Sequence, residues 1–414
     1  MKLTGNRSGV DPEKIVIFGA GKIGRSFIGQ LFGRSGYKVV FVDVDPVIIS
    51  LLNARRSYRI VIKGEKEEEI IIKNVMALSA LDREPVIGEI SKASILAVSV
   101  GKKALEKVIP LIAAGIEKRF KDNQDMPLDI ILAENMRSAA EYAREQLRKY
   151  LQPGFPIHSY VGLIETSIGK MVPIMPVAEV EKDPLVVFAE PYNTLILDRR
   201  GFKAAIPAVE GLAPKNNISA WVDRKAFIHN LGHATAAFYG YFNFPNSIYM
   251  YEVLEDPGIL KFTRDVMIQS AGILLKVYPD DFTIPDLEDH IDDLLYRFRN
   301  KALRDTICRV GQDLPRKLGK DDRFMGAIHL AMANGMPYNM IVRAMSYGFF
   351  FRASDEEGNP YPADKLFLKQ VEEDFESALI NVLGINESTD SQIIKELKEL
   401  YRSNRHEKLK KKTS

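Results

Sequence analysis

The sequence predicts an α/β domain built on a doubly wound parallel sheet, followed by a mainly α-helical domain. Three observations point there. Residues 15–18 form an apolar run, Ile-Val-Ile-Phe, that leads into a glycine-rich turn and then a helical stretch. Further apolar runs at 38–45, 94–101 and 129–136 follow at the spacing of strand–helix–strand units. From about residue 216 to 385 a helical periodicity takes over, with Pro and Gly between its segments. We therefore expect a sheet domain over 12–205, a helical domain over 206–385, and a charged helix and tail over 386–414.

Gly19, Gly21 and Gly24 give G-x-G-x-x-G directly after the first strand. The first permits the tight turn, the second lets backbone approach a pyrophosphate, and the third lets the next helix pack close to the sheet. The helix start, with Lys22 and Ile23 inside the pattern, offers N–H groups and a positive dipole end to phosphates. Asp43 lies near the end of the second strand, where a carboxylate bonds ribose hydroxyls and repels a 2′-phosphate, so NAD is expected rather than NADP. Ser99, Val100 and Gly101 end the third strand at the sheet edge that faces a dinucleotide in this topology. Glu134 and Asn135 reach the same edge. They either cap the helix that begins near Ser138 or face the nicotinamide, and capping is the reading for Glu134.

The remaining elements follow in order. Pro46 opens a crossover helix over 47–56, and alternation at 58–63 and 67–75 reads as a two-stranded ribbon with one wet face. An amphipathic helix covers 104–119, where Pro110 is expected to kink or divide it. Residues 157–161, 185–189 and 195–198 read as further strands, some antiparallel. Helices follow at 218–242, 257–277, 287–298, 323–333 and 338–351, and the basic end at 408–412 reads as a solvated terminus.

The totals exclude several classes. A net charge of +2 over 414 residues makes no case for nucleic acid or an anionic membrane. The single Cys308 forbids an internal disulfide and a cysteine-based zinc site. No secretory h-region and no run of about 20 apolar residues is present, so a soluble cytoplasmic protein without membrane partners is expected. No oligomeric state follows.

The second informative stretch is 216–235. Asn216 or Asn217 can cap a helix on which, at about 100° per residue, Lys225, His229 and His233 fall along one side, with Asn230 about 60° beyond. Trp221 and Val222 share that side, so it faces protein. A lysine in partly apolar surroundings beside imidazoles loses proton affinity, which suits a general base near neutral pH. Oxidising an alcohol by hydride transfer needs such a base, and donors for the developing alkoxide. Lys225 fits the first role; Asn230 and His233 fit the second without a metal. The alternative is a buried polar face that pairs with backbone. His229 by itself fits packing better than catalysis.

Lys225-x4-Asn230-x2-His233, with Gly232 and Ala234 around it, resembles the signature of the polyol-specific long-chain dehydrogenases, the mannitol dehydrogenase family. The likeness extends through 18–25, 53–58, 134–136, 297–300, 309–311, 316–318 and 322–323. It implies a Rossmann domain and a helical domain with the site between them, NAD as oxidant, Lys225 as base, Asn230 and His233 orienting the substrate oxygen, and no metal. Family members act on mannitol 1-phosphate, on free mannitol and arabinitol, or on hexuronates such as tagaturonate and fructuronate. The leading expectation is mannitol 1-phosphate with fructose 6-phosphate. Another polyol, a hexuronate, and a non-catalytic NAD-sensing role are the alternatives.

The sequence departs from the family pattern in three places. Val-Asp-Arg-Ile-Val-Pro stands as Ile168-Gly-Lys-Met-Val-Pro173, which loses the acid and puts Lys170 where Arg is usual, with Glu165 just before it. Glu-x-Phe-x-Glu-Trp is reduced to a form that keeps only Glu190, and Lys22 replaces the usual Asn. Lysine is not equivalent to arginine at a bidentate anion site. Lys170 is thus expected to meet a substrate phosphate or carboxylate, or to pair with Glu165. Glu165, Lys170, Glu190, His229 and Arg309 are the candidate substrate contacts, and Arg304, Arg316 and Lys317 are further candidates for a phosphate.

Overall fold

The computed structural model describes residues 9–134 and 136–413. The chain divides into two compact units, Met1–Val222 and Asp223–Ser414.

The first unit holds strands β1 (Asp11–Phe18), β2 (Lys38–Asp43), β3 (Ser57–Lys63), β4 (Glu67–Lys73), β5 (Val75–Ser79) and β6 (Ala93–Val98). It continues with β7 (Leu128–Leu132), β8 (Val161–Ser167), β9 (Val187–Ala189), β10 (Leu195–Asp198) and β11 (Leu212–Lys215). The main sheet has the order β11-β10-β8-β7-β6-β1-β2-β5. From β8 to β5 it is parallel, while β10 runs antiparallel to β8. Strand order reverses at β1, so the glycine turn leaves the sheet at a topological switch point. The apolar run at 15–18 is explained by burial on both faces: Ile15 and Ile17 enter one core, Val16 and Phe18 the other.

The expected ribbon forms from β3 and β4, and β9 joins it in parallel. It stops at Lys73, however, because Asn74 takes φ 58° and turns the chain, and β5 becomes the edge of the main sheet. Asn53 ties its helix to that edge by exchanging two hydrogen bonds with the Ala77 backbone, at 2.8 and 2.9 Å. Two further expectations are corrected. Residues 157–161 do not begin as strand: Pro156 opens a helical turn, Ile157–Tyr160, closed by Tyr160 N donating to the Pro156 carbonyl at 2.9 Å. Pro110 does not divide its helix, which runs unbroken over Lys102–Asp122. Leu105, Ile109, Ile112 and Ile116 are buried along it, and at about 1.5–3 kcal/mol each they outweigh a proline cost of about 3 kcal/mol.

The second unit is helical. Its main helices include Leu231–Asn243, Pro257–Val277, Ile284–Phe298, Arg323–Ala333, Asn339–Gly348 and Ser391–Thr413. Asp256 caps the second of these through the Gly258 and Ile259 N–H groups, both at 2.9 Å, with Pro257 at the first position, a combination worth about 1 kcal/mol. Leu231–Asn243 is enclosed: a Cβ at Gly232 would meet Met267 Sδ at 2.4 Å, and one at Gly240 would meet Val253 Cγ2 at 2.7 Å. The single helix expected over 218–242 is instead three segments, α over Ile218–Arg224, π over Lys225–Asn230, and α from Leu231. Among the described residues no helix is long and apolar enough to cross a membrane.

Candidate active site

In the first unit the glycine turn has the geometry that a dinucleotide requires. Gly19 takes φ 97°, and a Cβ there would stand 2.7 Å from the Ser99 carbonyl oxygen. A Cβ on Gly24 would stand 1.9 Å from the Gly19 carbonyl oxygen, whereas one on Gly21 meets nothing within 4 Å. The turn is therefore closed toward protein at its first and third glycines and open at the second, as the dinucleotide-binding pattern requires. Lys22 and Ile23 begin the helix, exposed and half-buried respectively, and the helix is π over Gly24–Ile28.

Asp43 closes β2 and gathers the backbone beside the glycine turn. Its Oδ1 accepts from Val44 N at 2.7 Å and Asp45 N at 3.0 Å, and its Oδ2 accepts from Ala20 N at 2.6 Å. A carboxylate has about four lone-pair sites, so capacity remains for a ribose hydroxyl. Ser99 N donates to the Phe18 carbonyl at 2.9 Å. Glu134 is buried and accepts from Val100 N at 2.8 Å and Gly101 N at 3.0 Å. It thus holds the loop after β6 and does not cap the helix near Ser138; Glu165 serves that helix, accepting from Ala140 N at 2.9 Å. Burial raises the Glu134 carboxyl above its ordinary value, against the two N–H bonds. Asn135 lies outside the described residues.

Arg25 escapes a reading by residue type. Its Nε donates to the Ala20 carbonyl at 2.6 Å and its Nη1 to the Leu185 carbonyl at 2.6 Å, while its own carbonyl accepts from the Tyr58 hydroxyl at 2.7 Å. The glycine turn is thereby tied to the second sheet. Lys170 is buried and donates to Gln30 Oε1 at 3.0 Å and Asn193 Oδ1 at 2.7 Å, with its amine 5.1 Å above the Phe27 ring. Glu190 is buried and accepts from Met171 N. Glu165, Lys170 and Glu190 all bond to groups of their own unit.

In the second unit the π turn carries the polar set. Leu231 N reaches back to the Ala226 carbonyl, five residues earlier, so Asn230 stands one turn beyond Lys225. A wheel of 100° per residue therefore misplaces it. Burial, then the charge of Arg323, lowers the Lys225 amine to about 8. His229 is buried with its ring centre 5.6 Å from Phe298, and burial, then Arg297, puts its imidazole well below the ordinary value. His233 stacks on Phe298 at 4.3 Å and 7°. Its Nε2 lies 3.3 Å from Asp305 Oδ2, within ion-pair distance but out of line for a good hydrogen bond. Burial lowers the His233 imidazole against the pull of Asp305.

Asp305, which the sequence reading passes over, is 5% exposed and joins His233 to Arg309, whose Nε donates to Oδ1 at 2.7 Å. Burial alone would raise its carboxyl, but His233 and Arg309 bring it below the ordinary value. Its four-residue spacing from Arg309 is the one available signal. Arg316 pairs with Asp313 and, at 3.0 Å, with Asp322. Arg304 donates to the Tyr249 hydroxyl at 3.2 Å. Lys317 is buried, donates to the Val310 carbonyl at 2.5 Å, and is lowered to about 7 by burial and then by Arg323 and Arg316.

Residues 13–211 match the model of the mannitol dehydrogenase Rossmann domain, and residues 217–400 match that of the mannitol dehydrogenase C-terminal domain. The chain belongs to the mannitol dehydrogenase family. Among solved structures it is similar to Pseudomonas fluorescens mannitol 2-dehydrogenase in a ternary complex with NAD and D-mannitol, at 16% identity over 98% of this chain and 97% of that one, with a TM-score of 0.74. It is also similar to a D-sorbitol dehydrogenase in substrate-free form, at 17% identity over 98% and 95%, with a TM-score of 0.77. As a member of the mannitol dehydrogenase family the chain is an NAD-dependent polyol oxidoreductase, and the open Gly21 and the carboxylate of Asp43 fit that cofactor.

Proposed function

We propose that this dehydrogenase interconverts mannitol 1-phosphate and fructose 6-phosphate at a secondary carbinol, with Lys225 as general base. The observation that carries the reading is the Lys225 amine, lowered to about 8 on the same turn as Asn230 and followed by His233. Bound NAD supplies the hydride acceptor. Lys225 Nζ takes the hydroxyl proton during oxidation and returns it during reduction. The Asn230 amide donates to the developing alkoxide. Asp305 Oδ2, 3.3 Å from Nε2, sets a negative charge beside the His233 ring, and His233 with Asn230 orients the substrate oxygen.

The phosphate preference rests on the resemblance of the sequence to the mannitol dehydrogenase family, some members of which act on mannitol 1-phosphate, and on cations near the set: Arg323, whose field reaches Lys225, and Arg309 and Lys317, whose fields reach His233. A neutral polyol is the second reading, favoured because Arg309 and Arg316 already bond to Asp305, Asp313 and Asp322.

NADH consumption with fructose 6-phosphate, fructose, tagaturonate and fructuronate, in parallel and with EDTA present, separates these readings. Preferred turnover of fructose 6-phosphate is expected. Preference for fructose selects the neutral reading, and preference for a hexuronate selects that class. Rates abolished by EDTA would overturn the metal-free chemistry. Silence on all four with NADH still bound would favour an NAD-sensing role.

A further inference from the structure

The Arg323–Ala333 helix packs its first turn against the Lys225 turn, where a Cβ on Gly326 would meet Phe227 Cε1 at 2.8 Å. At that contact the buried Arg323 sends Nη1 to the Asn230 carbonyl at 3.1 Å, while its Nε donates to Asp322 Oδ1 at 2.8 Å. Asp322 is itself fixed, accepting from Arg323 N at 2.7 Å and from Arg316 at 3.0 Å. We propose that Arg323 is a positioning residue for the catalytic turn: held by Asp322, it pins the Asn230 end and keeps a fixed positive charge beside the Lys225 amine. The inference rests on the reading of Lys225 as base.

A guanidinium does not lose its proton in this range, so it favours the neutral amine, the form that accepts a hydroxyl proton. Other charged or titratable groups also face the turn. Asp223 and Arg224 precede it, His229 lies within it, His233 follows it, and His290 and Arg297 come from Ile284–Phe298. Pro257–Val277 presents the apolar Met267. After burial itself, the charge of Arg323 is the next cause that lowers the Lys225 amine.

The test needs no substrate. Trace acetylation of the full-length protein from about pH 6 to 11, read peptide by peptide by mass spectrometry, gives the titration midpoint of Lys225. Wild type is expected near pH 8. Arg323→Gln should raise the midpoint by about one pH unit. Arg323→Lys should hold it near wild type, and Asp322→Asn should lower it because the counter-charge is gone. An unmoved midpoint in folded Arg323→Gln overturns the inference. So does a rise in Asp322→Asn, which serves alone if Arg323→Gln does not fold. Lys225→Ala is assayed separately with NADH and the ketose that wild type reduces. Retained turnover there removes Lys225 as base without changing what the labelling reads, so the two failures are distinguishable.

Discussion

With Lys225 as the proposed base and its amine lowered to about 8, the two directions of the reaction should have opposite pH dependence. Oxidation needs the neutral amine, and kcat/KM for the polyol should rise with pH and level off above about 8. Reduction needs the ammonium and should fall over the same range. Lys225→Met should abolish the limb and lower kcat by about 10²–10⁴-fold, with NADH affinity nearly unchanged. The same limb persisting in that variant would assign it to another group. Lys170 leads to a different expectation from the one its place in the family pattern suggests. It is held inside the first unit by two neutral amide oxygens, and its loss leaves both without their charged donor. Lys170→Met should therefore destabilise the protein by on the order of 2 kcal/mol, read as a lower Tm, with KM for fructose 6-phosphate unchanged. A raised KM at an unchanged Tm would put Lys170 on the substrate.

The elements around the two turns explain which features the sequence showed and which it hid. The three glycines were readable because each is demanded locally by a tight turn or a close approach. Their roles nonetheless differ in a measurable way. Gly24→Ala forces a Cβ to within 1.9 Å of the Gly19 carbonyl oxygen, so the helix must retreat from the turn. Both Tm and NADH affinity should fall, the latter by tenfold or more, equivalent to about 1.4 kcal/mol. Gly21→Ala meets no protein atom within 4 Å, so it should weaken NADH binding with Tm unchanged. Equal Tm losses in the two variants would remove the pyrophosphate assignment from Gly21. The π turn at Lys225 was not readable in the same way. Its composition is that of an α-helix, and nothing in a run such as Lys-Ala-Phe-Ile-His-Asn announces a five-residue hydrogen-bond step. The residues of the set were found by type and spacing, but their mutual placement came only with the fold.

Across the whole molecule, what was legible is what one segment decides alone. The parallel strands showed as apolar runs because both faces are buried, and the helices at 257–277 and 323–333 showed because their caps and periodicity agree. What stayed hidden depends on partners far along the chain: β5 becomes a sheet edge through β2, Arg25 reaches Leu185, and Arg323 reaches Asn230. These long-range ties close within one unit or the other. Of the two clusters that sandwich the main sheet, one draws on residues from Ile15 to Val209 and the other on residues from Val16 to Leu163, and among the described residues the strands end by Lys215. The glycine turn, Asp43 and Glu134 lie in that unit, while Lys225, Asn230, His233 and Asp305 lie in the other. A chain of residues 1–222 should therefore fold cooperatively and bind NADH, read by fluorescence enhancement, yet turn over none of the four ketose substrates. A folded fragment that fails to bind NADH would mean that the cofactor site needs groups from beyond residue 222, and the assignment of NAD recognition to the first unit alone would fall.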